Sequence, residues 1–221
     1  MYWANLFAHP VQKQQLFLLG VTDCHGHLAA GDCRRDIVIS KSIDSGQSWT
    51  RSTVLFHATA HTGSYHCAPT PSLLGKDGRM YRAFEASSST QFKGMAALII
   101  STAQPVTAET NLLDPAVWKA SNSVAPWSKA AMASMSALGW DNETHWSWEE
   151  GNAVELADGS IVNVIRIDGQ SNASHTQNVA AVMKLDREGS TLSFDRMIHF
   201  PACSSKVRYF STCTILFILV V

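Results

Sequence analysis

Three groupings of side chains in this chain could do chemistry. Glu150 stands just ahead of the apolar segment "NAVEL" (152–156), and Arg166 lies near the end of "SIVNVIRI" (160–167), with "ADG" between the two segments. If these form a strand, a tight turn and a returning strand, both charges fall at the end of the sheet away from the turn. There they either form a cross-strand ion pair, worth about 0.2–1 kcal/mol, or face a ligand together. Cys24, His25, His27 and Cys33 offer thiolate and imidazole donors suited to a tetrahedral zinc site. Their spacing matches no common zinc module, and adjacent Cys and His ligands are awkward, so no metal is expected. His57, His61 and His66 form a looser set in a turn-rich stretch and read as loop histidines.

The elements that must position these groups are strands. Short apolar runs punctuated by turn signals dominate, and helical periodicity is scarce. "QLFLLGV" (15–21), "DIVIS" (36–40), "STVLF" (52–56), "PSLL" (71–74), "RMYRAFE" (79–85) and "MAALIIS" (95–101) read as strands, as do "VAAVMKL" (179–185) and "SFDRMIHF" (193–200). "KDG" (76–78), "ADG" (157–159) and "REG" (187–189) mark hairpins. The stretch 107–146 departs from this pattern: it reads as a long excursion with one helical turn near Asp114-Pro115. The segment "SIDSGQSW" (42–49) is a further turn, because the Asp44 carboxylate can accept backbone N–H groups and Gly46 tolerates positive φ.

Aligning the hairpins exposes a repeat. "CAPTPSLLGKDGRMYRAFE" and "GNAVELADGSIVNVIR" share a small or proline-containing entry, an apolar strand, a D-G turn and a strand ending in a charged residue. "WANLFAHPVQKQQLFLLGV" follows the same plan with a less regular turn. Each copy is followed by two more strands, which predicts an all-β chain of about three four-stranded units, the blades of a β-propeller. The units span about 2–60, 64–120 and 148–205, within a partial propeller over 1–210, followed by an atypical apolar tail at 211–221. Three blades cannot close a ring, so an incomplete propeller is expected.

Seventeen basic residues against eighteen acidic ones, with no run of like charge, argue against electrostatically driven binding to nucleic acid or a membrane surface. A small neutral or anionic ligand is left open. Seven tryptophans in a chain only 16% charged suit a compact fold, and core packing is the commoner role for any one of them. The five cysteines are scattered and include no C-x-x-C, so they do not form a disulfide framework. Asn142 and Asn172 begin glycosylation sequons that would be used only in a secreted protein. The opening "MYWANLFAHP" has neither the basic region nor the apolar core of a signal peptide. The tail "TILFILVV" is too short to span a bilayer and reads as an abrupt non-native ending or a buried last strand. No compartment follows from these features.

"SIDSGQSW" matches all four fixed positions of the Asp-box, S-x-D-x-G-x-x-W, and the chain resembles the sialidase (neuraminidase) superfamily, whose blades carry that box between their third and fourth strands. The resemblance implies a structural role for Ser42, Asp44, Gly46 and Trp49. "WEEGNAVELADGSIVNVIR" is similar to the sialidase segment in which a glutamate opens an inner strand and an arginine closes the next. With "YWANLF", "SYHCAPTPSLLGKDGRMYRAFE" and "LSFDRMIHFP", the resemblance covers about residues 2–209. It implies a six-bladed propeller and a retaining exo-glycosidase acting on terminal sialic acid or a related acidic sugar, with no cofactor. Glu150 would be the base for a tyrosine nucleophile, whose phenol has an ordinary pKa near ~10 and needs activation at neutral pH. Arg166 would belong to a three-arginine clamp on the sugar carboxylate, using its bidentate fork.

The internal alignment places Glu85 where Arg166 falls, and His66 just ahead of the strand that corresponds to Glu150. Both are expected to face the same central cavity. Glu85 could hydrogen-bond sugar hydroxyls or orient an arginine, and His66 could do the same or carry a proton. Alternatively both are satisfied polar residues lining an axial channel. The family's acid/base aspartate maps to the loop "TDCHGHLAAGDCRRD", where Asp32 is taken and Asp23 is the alternative. Departures are plain. Trp3-Ala4 stand near the place of the first-blade arginine, and the nucleophilic Tyr and third Arg belong to later blades, since Arg208 and Tyr209 come too early. The resemblance therefore implies that these 221 residues alone are inactive. The alternative is a non-catalytic Asp-box propeller that binds carbohydrate or protein.

Overall fold

The computed structural model describes residues 1–23, 34–59, 62–87, 94–138, 146–169 and 179–200. The fold is nearly all β and forms three antiparallel sheets, consistent with part of a β-propeller. The first sheet is a meander of β1 (Tyr2–Ala8), β2 (Leu16–Val21), β3 (Ile37–Ser42) and β4 (Thr53–Phe56). The second contains β5 (Ser64–His66), β6 (Leu73–Leu74), β7 (Met80–Ser87), β8 (Ala96–Thr102) and β9 (Trp118–Ala120), with β5 and β6 both paired to β7. The third is again a meander, of β10 (Trp146–Glu155), β11 (Ile161–Gly169), β12 (Val179–Leu185) and β13 (Leu192–His199).

The D-G and E-G signals act as the sequence suggests. Gly78, Gly159 and Gly189 adopt φ of +78°, +80° and +75°, and their N–H groups bond back to the carbonyls of Gly75, Leu156 and Asp186. A left-handed residue at that point matches the hairpin twist, and glycine takes it without steric cost.

Side-chain alternation along β7 and β8 explains how the sheets stack. Met80, Phe84, Leu98 and Ile100 join a core with Phe17, Leu19, Val21, Ile37 and Ile39 of the first sheet. Tyr81, Ala97 and Ile99 join a second core with Ile161, Ile165, Ile167, Ala181 and Met183 of the third. Residues two apart share a face, so one pleated sheet supplies both cores, and its strands are accordingly apolar at nearly every position. Each fully buried Ile or Leu there contributes about 1.5–3 kcal/mol relative to exposure.

The excursion at 107–146 carries the helical turn expected at Asp114-Pro115. A 3-10 turn at Pro115–Val117 is capped by Asp114, whose carboxylate accepts the N–H of Ala116 at 2.9 Å. The excursion also carries a helix that the periodicity did not announce, α1 (Lys129–Ala137), N-capped by Ser128 and burying Ala131 and Met135 in the second core. Its composition, "KAAMASMSA", has too weak an apolar stripe to register as amphipathic.

Candidate functional site

In the β10–β11 hairpin, the strand carrying the candidate base Glu150 starts earlier than the sequence suggests. β10 begins at Trp146, so Glu150 lies within it instead of opening it. Glu149 is the residue directly opposite Arg166, and the register slips between Glu149 and Asn152, which pairs with Val164. Glu150 occupies the bulge with φ +62°, a left-handed conformation that a non-glycine side chain adopts at a cost of about 1–3 kcal/mol. The bulge re-aims its side chain so that both carboxylates reach one guanidinium. Arg166 Nη2 donates to Glu149 Oε2, and Arg166 Nε lies 3.1 Å from Glu150 Oε2. Arg166 and Glu149 are largely shielded, while Glu150 keeps 41% of its side chain exposed.

Gly151 completes the bulge and shows why it sits there. A Cβ at this position would meet the buried Asn163 amide at 2.5 Å from Oδ1. A glycine inside an otherwise apolar strand pattern is a sequence signal for such a bulge, and it would have pointed to Glu149 as the in-register partner.

The same position in the second sheet holds His66 and Glu85, which are paired across β5 and β7. His66 Nδ1 and Glu85 Oε2 are 2.9 Å apart, and Glu85 is fully buried. His66 is thus a strand residue facing a carboxylate, not a residue ahead of a strand. After it the ladder is interrupted by "CAPTP", because Pro69 and Pro71 have no N–H to donate, and pairing resumes at Leu73. The other oxygen of Glu85 leaves its own sheet and accepts the Gly151 N–H at 2.8 Å. Thr70 Oγ1 donates to the Gly151 carbonyl at 3.1 Å, so both backbone groups of the bulge glycine are held by the second sheet. His66, Glu85, Glu149, Glu150 and Arg166 therefore form one connected set.

In the first sheet the equivalent slip lies between Tyr2, opposite Val21, and Asn5, opposite Leu19. Trp3 takes the place that Glu150 holds in the third, with φ +48°. Its ring centroid is 4.5 Å from that of His66, and the Arg35 guanidinium lies 5.2 Å over its face.

The turn at 42–49 lies at the other edge of the first sheet. Ser42 Oγ donates to Asp44 Oδ1 at 2.7 Å, Gly46 N–H donates to Ser42 Oγ at 2.9 Å, and Trp49 Nε1 donates to the Gly46 carbonyl at 3.1 Å. Ser45 and Gly46 both adopt positive φ. Hydrogen bonds from the Ser48 hydroxyl, the Ser48 N–H and the Ser42 hydroxyl hold the Asp44 carboxyl at about 2, against an ordinary value of 3.8. The side chains of Ser42, Asp44, Ser48 and Trp49 are all used in holding the turn.

Asp32, the candidate zinc ligands Cys24, His25, His27 and Cys33, His61, Asn142, Asn172 and the tail from 201 onward lie outside the described residues. His57 is largely exposed, with Nδ1 3.5 Å from Asp36 Oδ2. Among the described residues no group of three or more His, Cys, Asp or Glu side chains could hold a metal ion. No helix among them is long and apolar enough to cross a membrane.

No protein-family model matches the chain, and no curated protein does. Solved structures do. An exo-β-1,3-galactanase from Clostridium thermocellum is similar with a TM-score of 0.52 at 7% identity, covering 90% of this chain and 38% of that one. An α-L-arabinofuranosidase from Lactobacillus brevis gives 0.51 at 16% identity, covering 90% and 56%. A protein of unknown function from Dyadobacter fermentans gives 0.50 at 15% identity, covering 87% and 50%. The fold is therefore one that glycoside hydrolases use, and the chain spans about 38–56% of the length of these structures.

Proposed function

We propose that the chain is part of a sialidase-like, retaining exo-glycoside hydrolase, its three sheets being successive blades (about 2–60, 64–120 and 148–205) of a six-bladed Asp-box propeller. Glu150 is the base that activates a tyrosine nucleophile, Asp32 the acid/base, and Arg166 a carboxylate clamp, with Glu85 and His66 as further substrate-binding residues. One observation supports this above the others: a strained bulge turns Glu150 toward Arg166 while leaving its carboxylate the most exposed of the set. Strain held by buried neighbours is characteristic of functional positions, where geometry is fixed in advance of binding. The likeness of fold to a galactanase and an arabinofuranosidase supports carbohydrate as the ligand class.

The test is hydrolysis of a fluorogenic sialoside by the full-length protein and its Glu150→Ala variant. Loss of a general base is expected to lower kcat by about 10²–10⁴-fold. Unchanged turnover would remove Glu150 from the mechanism.

A second reading rests on Arg166 being shared by two carboxylates. Glu149 and Glu150 both lie against its guanidinium, so an anionic sugar competes with two carboxylates for it, whereas a neutral sugar does not. In this reading the propeller binds neutral carbohydrate without hydrolysing it. Binding of a neutral glycoside with no turnover of any sialoside would favour it.

A further inference from the structure

We propose that Trp3 is a sugar-stacking platform at the same end of the molecule as the Glu150–Arg166 pair, taking the apolar face of a pyranose ring. This rests on reading the site as a carbohydrate site, but not on sialic acid or on catalysis. Trp3 and Glu150 occupy equivalent bulges, each one residue after the pair at which the register slips (Tyr2–Val21 and Glu149–Arg166) and each at positive φ. Tryptophan gains nothing locally from that backbone conformation, so surrounding contacts must hold it there. They are on hand. The fully buried Arg82 donates from Nη2 to the Trp3 carbonyl at 2.9 Å and to the Ala68 carbonyl at 3.0 Å, and Cys67 Sγ donates to the Trp3 carbonyl at 3.4 Å. Only the backbone of Trp3 is gripped in this way.

Trp3 as a residue stays 36% exposed, although its side chain is one of the largest in the protein. Arg35 backs one face and His66 meets the ring at an edge-to-face angle of 63°. These two contacts fix the ring's orientation, and the residue's exposure is the surface offered to a ligand. A continuous line of contacts joins it to the rest of the site: Trp3 to His66, His66 to Glu85, and Glu85 to the N–H of Gly151 next to Glu150. The π-face carries partial negative charge, which suits the weakly positive C–H groups on one face of a pyranose, and a ring already held in place loses little entropy on binding.

Ligand-observed NMR titrations with methyl α-N-acetylneuraminide and with methyl β-galactopyranoside test this on the full-length protein. Trp3→Ala is expected to weaken whichever sugar binds by about tenfold, and Trp3→Phe by about threefold. Should Trp3→Ala fold poorly, protein labelled with ¹⁵N-tryptophan gives a second readout: the indole resonance missing from Trp3→Phe should shift on titration. Wild-type affinity in Trp3→Ala, an unmoved Trp3 resonance at saturation, or no binding of either sugar by wild type overturns the proposal. If Trp3→Ala weakens binding while Glu150→Ala leaves sialoside turnover unchanged, the platform stands and the proposed catalytic role fails.

Discussion

Arg82 and Glu85 leave β7 on opposite faces, and the two sheet-to-sheet interfaces differ accordingly. Toward the first sheet, Arg82 is fully buried and distributes its N–H groups over the carbonyls of Trp3, Leu19 and Ala68. Among the described residues Cys67 and Glu85 are its neighbours that can carry negative charge, and burial pushes the guanidinium below its ordinary value. Toward the third sheet, Glu85 is equally buried but spends one oxygen on Gly151 N–H and the other on His66. A buried cation that spends its N–H groups mainly on main-chain oxygens, with the Cys67 sulfur as a weaker acceptor, holds backbones together. A buried carboxyl group that meets an imidazole and a bulge N–H instead joins side chains of two sheets into the set on which the proposed site rests. One strand therefore serves both interfaces, and alternation of its side chains keeps the two kinds of contact apart.

The largest expected effect tests the first half of that contrast. Arg82→Met keeps most of the stem volume but removes every donor, leaving buried carbonyls in both sheets without their partner. It should cost about 3–4 kcal/mol, read as a lower urea midpoint at neutral pH with little change in m. Glu85→Ala should cost less, about 2–3 kcal/mol, because one N–H and one imidazole lose an acceptor. Glu85→Gln keeps an oxygen for Gly151 and should cost about 1 kcal/mol. If Glu85→Ala proved more damaging than Arg82→Met, the interfaces would have to be ranked the other way.

Much of this arrangement is legible in the chain, and its limits are physical. Strands and hairpins could be read because "RMYRAFE", "MAALIIS" and the three x-D-G or x-E-G turns carry strong local signals. The repeat brought Glu85 and Arg166 to corresponding positions, and their registers opposite His66 and Glu149 agree with it. What could not be read were features set by contacts between residues distant in sequence. The strand "SYH" at β5 is only three residues long and exists because β7 supplies a partner. Arg82 reads as an ordinary outward charge in "RMYRAFE", since nothing local announces that its end will reach three backbone carbonyls. Local pattern does not single out Glu149, because a bulge changes which of two adjacent residues faces the partner strand. α1 forms in a segment without a clear apolar stripe, so its packing against the second core decides its place more than its sequence pattern does.

The smallest expected effect sharpens the contrast from outside, where a carboxylate holds a turn without being buried. Asp44 has a folded pKa of about 2, below the ordinary carboxylate value, chiefly because the Ser48 hydroxyl and N–H donate to it. A depressed folded value means that the unfolded chain takes up the proton first as pH falls. The stabilisation is therefore complete above the unfolded value of about 3.9, and it drains away as pH drops through about 2. Wild type should exceed Asp44→Asn in urea midpoint near neutral pH, with the gap closing on the acid side. Ser48→Ala removes the largest cause of the shift and should move the closing of that gap upward in pH. An acid limb unchanged in Asp44→Asn would mean that other carboxylates set it. The turn would then be held by Ser42 and Trp49 alone, through the Gly46 N–H and carbonyl that they already engage.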